Sequence, residues 1–283
     1  MNKIYIYHHL GLGDHISCNG IVRSILKKNK KTNIFLFCKK SLTDLVKFMY
    51  RDKKNIKLIP IQTKGKSEKE YSDKIENYLR NLKKKHKIIK IGFENFNKIY
   101  NQIYSYNNPV TYDMIFYHQL NLSYKKRFSE CFWKRDYKEE NRVFKKLTKN
   151  KKRKYAFIHD DTKLGYIIDK KFVSSGLEII KNDKNENIFH MGKILEKAEE
   201  LHLMESSIRN MSESLKIRSR NINLYIWRRR KISPIYSPKL KKVVGSQKNW
   251  KIIFMNPKQK NFKFFFMNSV LKLRFYLLGI LSK

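Results

Sequence analysis

The sequence predicts an α/β protein of two domains, each built from βαβ units, that meet across a ligand cleft. Three observations predict it. Short apolar strands alternate with helical segments from residue 2 to residue 91, and the alternation resumes at Lys154. A glycine-containing turn, Gly11 to Gly13, stands between the first strand and the first helix. A second polar strand-to-helix junction follows at Glu205–Ser207. Helices on both faces of parallel sheets are the usual consequence of such alternation.

The elements read as follows. Residues 2–8 form a buried strand rich in β-branched and aromatic side chains. Asp14–Lys28 is a helix carrying Ile16, Ile21, Val22, Ile25 and Leu26 on its inner face. Asn33–Cys38, Asn55–Ile61 and Lys87–Ile91 are strands, with helices over Leu42–Tyr50 and Glu68–Lys84. The region 93–150 is aromatic and basic; Tyr112–Tyr117 reads as a strand and Glu139–Leu147 as a helix. Strands follow at Lys154–His159, Glu200–Met204, Asn223–Trp227 and Lys251–Phe254. Helices fall at Ile188–Ala198 and Ser206–Leu215, while Phe172–Ile180 fits either class. Phe262–Leu281 reads as an aromatic, cationic terminal helix. The expected boundaries are 1–150, 151–254 and a tail at 255–283.

Composition narrows the function classes. An apolar fraction of 41% in 283 residues is enough to build cores. Lys and Arg number 64 against 24 Asp and Glu, giving +40 at pH 7, and no acid occurs between Lys216 and Lys283. Such a balance attracts anions: nucleic acid, acidic lipid headgroups or phosphorylated substrates. No helix-turn-helix, RNP pair or zinc finger accompanies the charge, so nucleic-acid binding is expected to be nonspecific and confined to low salt. Cys18, Cys38 and Cys131 have neither disulfide-framework nor zinc-site spacing, which suits a reducing compartment. With no signal-peptide core and no apolar run of about 18 residues, the expected location is cytoplasmic.

Three segments carry chemistry. Gly11 and Gly13 let the backbone turn and approach a ligand, and the helix that follows presents unpaired N–H groups to an anion. The dinucleotide fingerprint fails because its third glycine position is Ile16, and no Walker Gly-Lys-Ser/Thr is present. Asp14 either caps its helix or faces the cleft as a general base with His15 or His9 beside it. His159-Asp160-Asp161-Thr162 reads either as a turn with a helix cap or as a polar group holding sugar or ribose hydroxyls. Ser206 or Ser207 fits a helix N-cap, and the same junction offers Glu205 to ribose or sugar hydroxyls and the helix end to a phosphate. No residue set has the composition of a metal centre.

The stretch Leu10-Gly11-Leu12-Gly13-Asp14-His15-Ile16, followed by Gly20-Ile21-Val22-Arg23-Ser24-Ile25-Leu26, resembles the Gly-Asp loop and first helix of the heptosyltransferase-like glycosyltransferases, family 9 and its relatives. Ala198 to Leu215, with Glu205-Ser206-Ser207 at its centre, resembles the second-domain segment of the same group. The resemblance implies a GT-B fold: two Rossmann-like domains, the nucleotide-sugar held by the second and the acceptor mainly by the first. It implies Asp14 as the base and Glu205, Ser206 and Ser207 as donor-binding residues, with no catalytic metal. The chain departs from the family at Ser207, where glycine is usual, and in its short second domain. No residue matches the family's basic donor-phosphate position, although Lys163 and Lys193 fall in the right part of the chain.

The expected activity is metal-independent transfer of a sugar from a nucleotide-sugar to a glycan or lipid-linked acceptor in surface polysaccharide or lipopolysaccharide synthesis. Asp14 and His15 are the expected catalytic residues; Gly11, Gly13, His159, Asp160, Glu205, Ser206 and Ser207 are expected to bind the donor. The cationic, aromatic tail either touches an anionic membrane or packs back across the two domains. A nucleic-acid or polyanion binding protein and a catalytically inactive GT-B scaffold are the alternatives.

Overall fold

The computed structural model describes residues 3–8, 11–64, 68–80, 82, 86–92, 96–103, 109–150, 153–227, 236–237 and 242–255. His9, the run Arg228–Lys231 and the expected terminal helix 262–281 lie outside the described residues. The first sheet comprises β1 (Lys3–His8), β2 (Asn33–Lys39), β3 (Ile56–Ile61) and β4 (Lys87–Ile91), all parallel, in the order β3-β2-β1-β4. Helices α1 (Leu12–Lys28), α2 (Thr43–Tyr50) and α3 (Glu68–Leu79) connect these strands.

Strand β1 is buried on both faces, as a central parallel strand must be. Ile4 and Ile6 enter the main core, and Tyr5 and Tyr7 pack under α3 with Phe37, Tyr71 and Ile75. Along α1 every residue from His15 to Ser24 is buried, so the helix is a core element rather than an amphipathic cover. Its glycine at position 20 has a packing cause. A Cβ there would stand 2.2 Å from the carbonyl oxygen of Lys126.

Residues 96–150 supply α4 (Phe96–Ile103), α5 (Tyr112–Gln119), α6 (Lys126–Ser129) and α7 (Tyr137–Thr148). The expected strand at Tyr112–Tyr117 is therefore the helix α5. Thr111 caps it by accepting from the Met114 N–H at 3.3 Å, and Asp113 sits in its first turn. A short aromatic run favours strand by propensity, but here the cap and the buried Ile115, Phe116 and Tyr117 outweigh it.

The second sheet, again parallel, contains β5 (Tyr155–His159), β6 (Glu178–Lys181), β7 (Glu200–Met204) and β8 (Asn221–Ile226). The short β9 (Tyr236–Ser237) and β10 (Lys242–Val243) pair separately, and β11 (Lys251–Phe254) completes the order β11-β8-β7-β5-β6. Helices α8 (Gly192–Lys197) and α9 (Ser207–Ser212) connect its strands. The ambiguous stretch Phe172–Ile180 resolves into the end of a 3-10 turn and the start of β6. The first turn of the expected helix at 188–198 is likewise 3-10.

One core runs through both sheets. Phe48 of α2 stacks on Phe189 at 5.4 Å, and Trp133, in the segment between α6 and α7 that crosses from the first sheet to the second, packs on the same ring at 5.4 Å. Arg135 ties the segment down by bonding Glu140 of α7 and Glu196 of α8.

Candidate active site

In open parallel sheets a ligand crevice forms at the carboxyl ends of the strands where the order reverses, because the two flanking connections leave on opposite faces. The first sheet reverses between β1 and β4, the second between β5 and β7. Gly11–Asp14 follows β1, His159–Asp160 ends β5, and Glu205–Ser207 follows β7. Every expected site segment thus stands at one of the two reversals.

The first loop is held by its own helix. Gly11 is extended (φ −96, ψ 163) and is the N-cap of α1. Having no side chain to offer, it leaves the reciprocal bond to Asp14, whose Oδ2 accepts the Gly11 N–H at 3.0 Å. The capping role foreseen for Asp14 is therefore present, and the carboxylate is only partly buried. His15, one residue on, is turned inward: it is 1% exposed, with its ring 4.2 Å from that of His8. Burial, and then the neighbouring His8, push its pKa well below the ordinary histidine value. Its Nδ1 has no hydrogen-bond partner among the described residues.

The two half-sites touch. The Asn210 side chain of α9 donates from Nδ2 to the Gly13 carbonyl at 3.3 Å. A Cβ on Gly13 would meet that nitrogen at 3.0 Å and the Ser207 Cα at 4.0 Å. Glycine at position 13 is thus what lets the start of α1 lie against the start of α9. Ser206 caps α9, accepting the Arg209 N–H at 3.4 Å, and Ser207 is the first helical residue.

On the other side of β7, the register places His159 opposite Leu203, so Asp160 lies level with Met204 and the Glu205 junction. Its carboxylate is engaged inside the protein. Oδ2 accepts from Lys181 Nζ at 2.8 Å and from the Ile168 N–H at 3.3 Å, and the residue is 5% exposed. Burial lowers the His159 pKa. Asp161 caps the turn at Thr162–Leu164 by accepting from the Lys163 N–H at 3.1 Å, and pairs with Lys184 at 3.3 Å. The turn-and-cap reading of this segment is what the geometry shows for Asp161.

The structure therefore brings Gly13, in the same loop as Gly11 and Asp14, against Ser207 and Asn210 of α9. It aligns His159, Asp160 and Glu205 along the neighbouring strand ends, and it sets the His15 ring and the Asp160 carboxylate in the interior. Lys193 bonds Asn141 and lies over the Phe144 ring at 5.0 Å, toward α7, while Lys163 is exposed on its turn.

Two arginines that sequence reading did not single out stand at the joint. Arg127 of α6, 1% exposed, donates to the Asn210 carbonyl at 3.2 Å and lies 3.6 Å from Asp113. Arg209 of α9 donates to Asn210 Oδ1 at 3.1 Å and pairs with Glu213 at 3.0 Å. Neither carries a local motif, and each is one of 64 basic residues. Among the described residues no group of three or more His, Cys, Asp or Glu is placed to hold a metal ion.

Two parallel sheets joined by a crossing segment, with their reversal points converging on α1 and α9, fit the two-domain GT-B fold. Solved structures give that class its particular form. The chain is similar to the glycosyl transferase family 9 protein of Veillonella parvula over 90% of its own length and 86% of that chain, with a TM-score of 0.53 and 11% identity. It is also similar to the E. coli ADP-heptose LPS heptosyltransferase II, over 89% of its length and 90% of that chain, with a TM-score of 0.51 and 7% identity. The fold is heptosyltransferase-like. No protein-family model matches the sequence, and no curated protein matches it.

Proposed function

We propose that this protein is a glycosyltransferase that moves a sugar from a nucleotide-sugar onto a glycan or lipid-linked acceptor, in surface polysaccharide or lipopolysaccharide synthesis, without a metal ion. The observation that carries the reading is the meeting of the Asp14 loop with the Ser206–Ser207 junction, within a fold shared with two proteins described as a family 9 glycosyl transferase and a heptosyltransferase. The domains divide at about residue 150, the first serving the acceptor and the second the donor.

In this scheme the acceptor hydroxyl attacks the anomeric carbon, its proton passes to Asp14, and the bond from that carbon to the diphosphate oxygen breaks. Gly11 fixes Asp14 through Oδ2, which leaves Oδ1 for the proton. His15 acts from beneath as a neutral packing group that holds the start of α1 against β1, rather than as a proton carrier. Gly11 and Gly13 line the acceptor side of the donor. Glu205, Ser206 and Ser207, with His159 at the adjacent strand end, hold the nucleotide-sugar, and Asp160, whose carboxylate is bonded inside the protein to Lys181 and the Ile168 N–H, fixes that strand end. Arg127 and Arg209 set a positive field at the joint for the departing diphosphate. No helix among the described residues is long and apolar enough to cross a membrane. The scheme has the enzyme working in the cytoplasm, either free or peripherally at the membrane face.

Calorimetry against UDP-, GDP-, CMP-, dTDP- and ADP-sugars, with and without Mg²⁺, tests the reading. One donor should bind without metal, and Glu205→Ala should weaken it. Silence across the panel from folded protein would leave the inactive scaffold or a basic polyanion-binding protein as the surviving accounts.

A further inference from the structure

We propose that the amino-terminal edge of the first sheet docks on an anionic lipid bilayer. Two turns form this edge: residues 28–32, between α1 and β2, and residues 51–55, between α2 and β3. They are tied into one shelf. Asn55 donates from Nδ2 to the Lys30 carbonyl at 3.2 Å, and the Ile34 N–H donates to the Asn55 carbonyl at 2.8 Å. Lys27, Lys28, Lys30, Lys31, Lys53 and Lys54 are all exposed on or beside this shelf.

Among the described residues, acids partner only Lys27 and Lys53 of these six. Asp52 is occupied by two bonds from Arg23, at 3.0 and 2.8 Å, and Glu130 pairs with Lys27 at 3.2 Å. Lys28, Lys30, Lys31 and Lys54 have no ion-pair partner among the described residues. At the rim stands an apolar ring. Phe132, 52% exposed, lies 5.1 Å from the Arg23 guanidinium that also grips Asp52.

The pattern selects a bilayer among polyanions. Lysine ammoniums are point charges that meet headgroup phosphates without fixed geometry, whereas base or backbone recognition in nucleic acid favours arginine forks and several stacking rings. Among the described residues this shelf has one exposed ring, and the exposed arginine beside it, Arg51, is bonded to the Lys134 carbonyl and Asp136. A half-exposed phenylalanine beside lysines suits the boundary between headgroups and acyl chains. Helix α1, about 25 Å long at 1.5 Å per residue, separates the shelf from the Gly11–Asp14 loop. The surface goes beyond the catalytic reading and holds whether or not sugar is transferred.

Flotation of the full chain with vesicles tests it, using phosphatidylcholine alone and phosphatidylcholine mixed with phosphatidylglycerol at physiological salt. Each lysine near an anionic surface contributes about fivefold in partitioning. Wild type should bind only the mixed vesicles, and K30Q/K31Q/K54Q should lower its partition coefficient on the order of 100-fold. Phe132→Ser should lower it as well. The variant K138Q/K145Q/K149Q removes the same charge from α7 and its C-cap and should bind nearly as wild type does. Equal binding to both vesicle types, equal loss in the two triple variants, or no loss in K30Q/K31Q/K54Q would each overturn the proposal. A greater loss of binding to single-stranded RNA than to vesicles would overturn it in favour of nucleic acid.

Discussion

Asn210 of α9 donates a hydrogen bond to the carbonyl of Gly13 in α1, across 197 positions of sequence. The same residue accepts from Arg209 at Oδ1 and from Arg127 at its backbone carbonyl, so it links the two half-sites and both buried guanidiniums. Asn210→Ala removes the first two of these bonds and keeps the third. A net hydrogen bond contributes about 1 kcal/mol, somewhat more when one partner is charged. The variant should therefore lose about 2 kcal/mol, read as a fall in denaturant midpoint at unchanged slope. A stability equal to wild type would show that the joint does not depend on Asn210.

Gly20 offers a sharper test of the same joint. Its missing Cβ is the space in which α6 approaches α1; an added methyl would meet the Lys126 carbonyl oxygen at 2.2 Å and the Tyr117 hydroxyl at 2.6 Å. The Tyr117 hydroxyl is fixed by donating to the Ser17 carbonyl at 3.1 Å. With backbone on one side and a bonded ring on the other, neither neighbour yields cheaply. Gly20→Ala should cost about 3 kcal/mol, at the upper end for overpacking, despite alanine's better helix propensity. A thermal melt in which the alanine variant matches wild type would refute that packing.

Much of this architecture was legible because strand, turn and helix signals agreed locally. The glycines before Asp14 and the serines after Glu205 announce strand-to-helix junctions, and junctions of parallel sheets are where sites lie. The phase of α1 was not legible. Its burial is continuous from His15 to Ser24, so the 3.6-residue periodicity that would reveal an inward His15 is absent. The strand expected at Tyr112–Tyr117 followed aromatic propensity, whereas the decisive signal was Thr111 as a cap. Arg127, Arg209 and Asn210 gain their meaning only from contacts between distant segments, which no local pattern encodes.

Acid should unfold the protein in two stages with the same sign. His15, buried and neutral, has a folded pKa well below the unfolded value near 6.5, because burial and then His8 disfavour its charge. Its stabilisation is present above pH 6.5 and is lost as pH falls below it. Glu200 acts lower. Burial pushes its pKa up, but hydrogen bonds from Ser174, Asn221 and His202 outweigh that and hold it at about 2. Against an ordinary value of 4.5, this corresponds to about 3 kcal/mol, present above pH 4.5 and lost as pH falls toward 2. Glu200→Gln should flatten the stability curve between pH 4.5 and 2, and steepen its slope near pH 6, because the His202 ring, its pKa already lowered by burial, loses the carboxylate that raises it. Urea titrations across pH measure both. A wild-type slope in the variant below pH 4.5 would remove Glu200 from the account.

Asp14→Asn separates capping from catalysis. An asparagine side chain keeps a carbonyl oxygen that can accept the Gly11 N–H now taken by Oδ2 at 3.0 Å, so the cap and the turn at Gly11 persist. Losing the negative charge at the start of a 17-residue helix costs about 0.5 kcal/mol, a shift small enough to leave the fold intact. The variant cannot receive the acceptor's proton. With the donor identified by calorimetry, its turnover should fall by about 10²–10⁴, the range for a lost general base, while donor affinity stays near wild type. Asp14→Ala should match that rate and in addition lose about 1 kcal/mol of stability with the cap. Turnover of Asp14→Asn at the wild-type rate would assign Asp14 to the cap alone and move the search for the base to another residue at the joint.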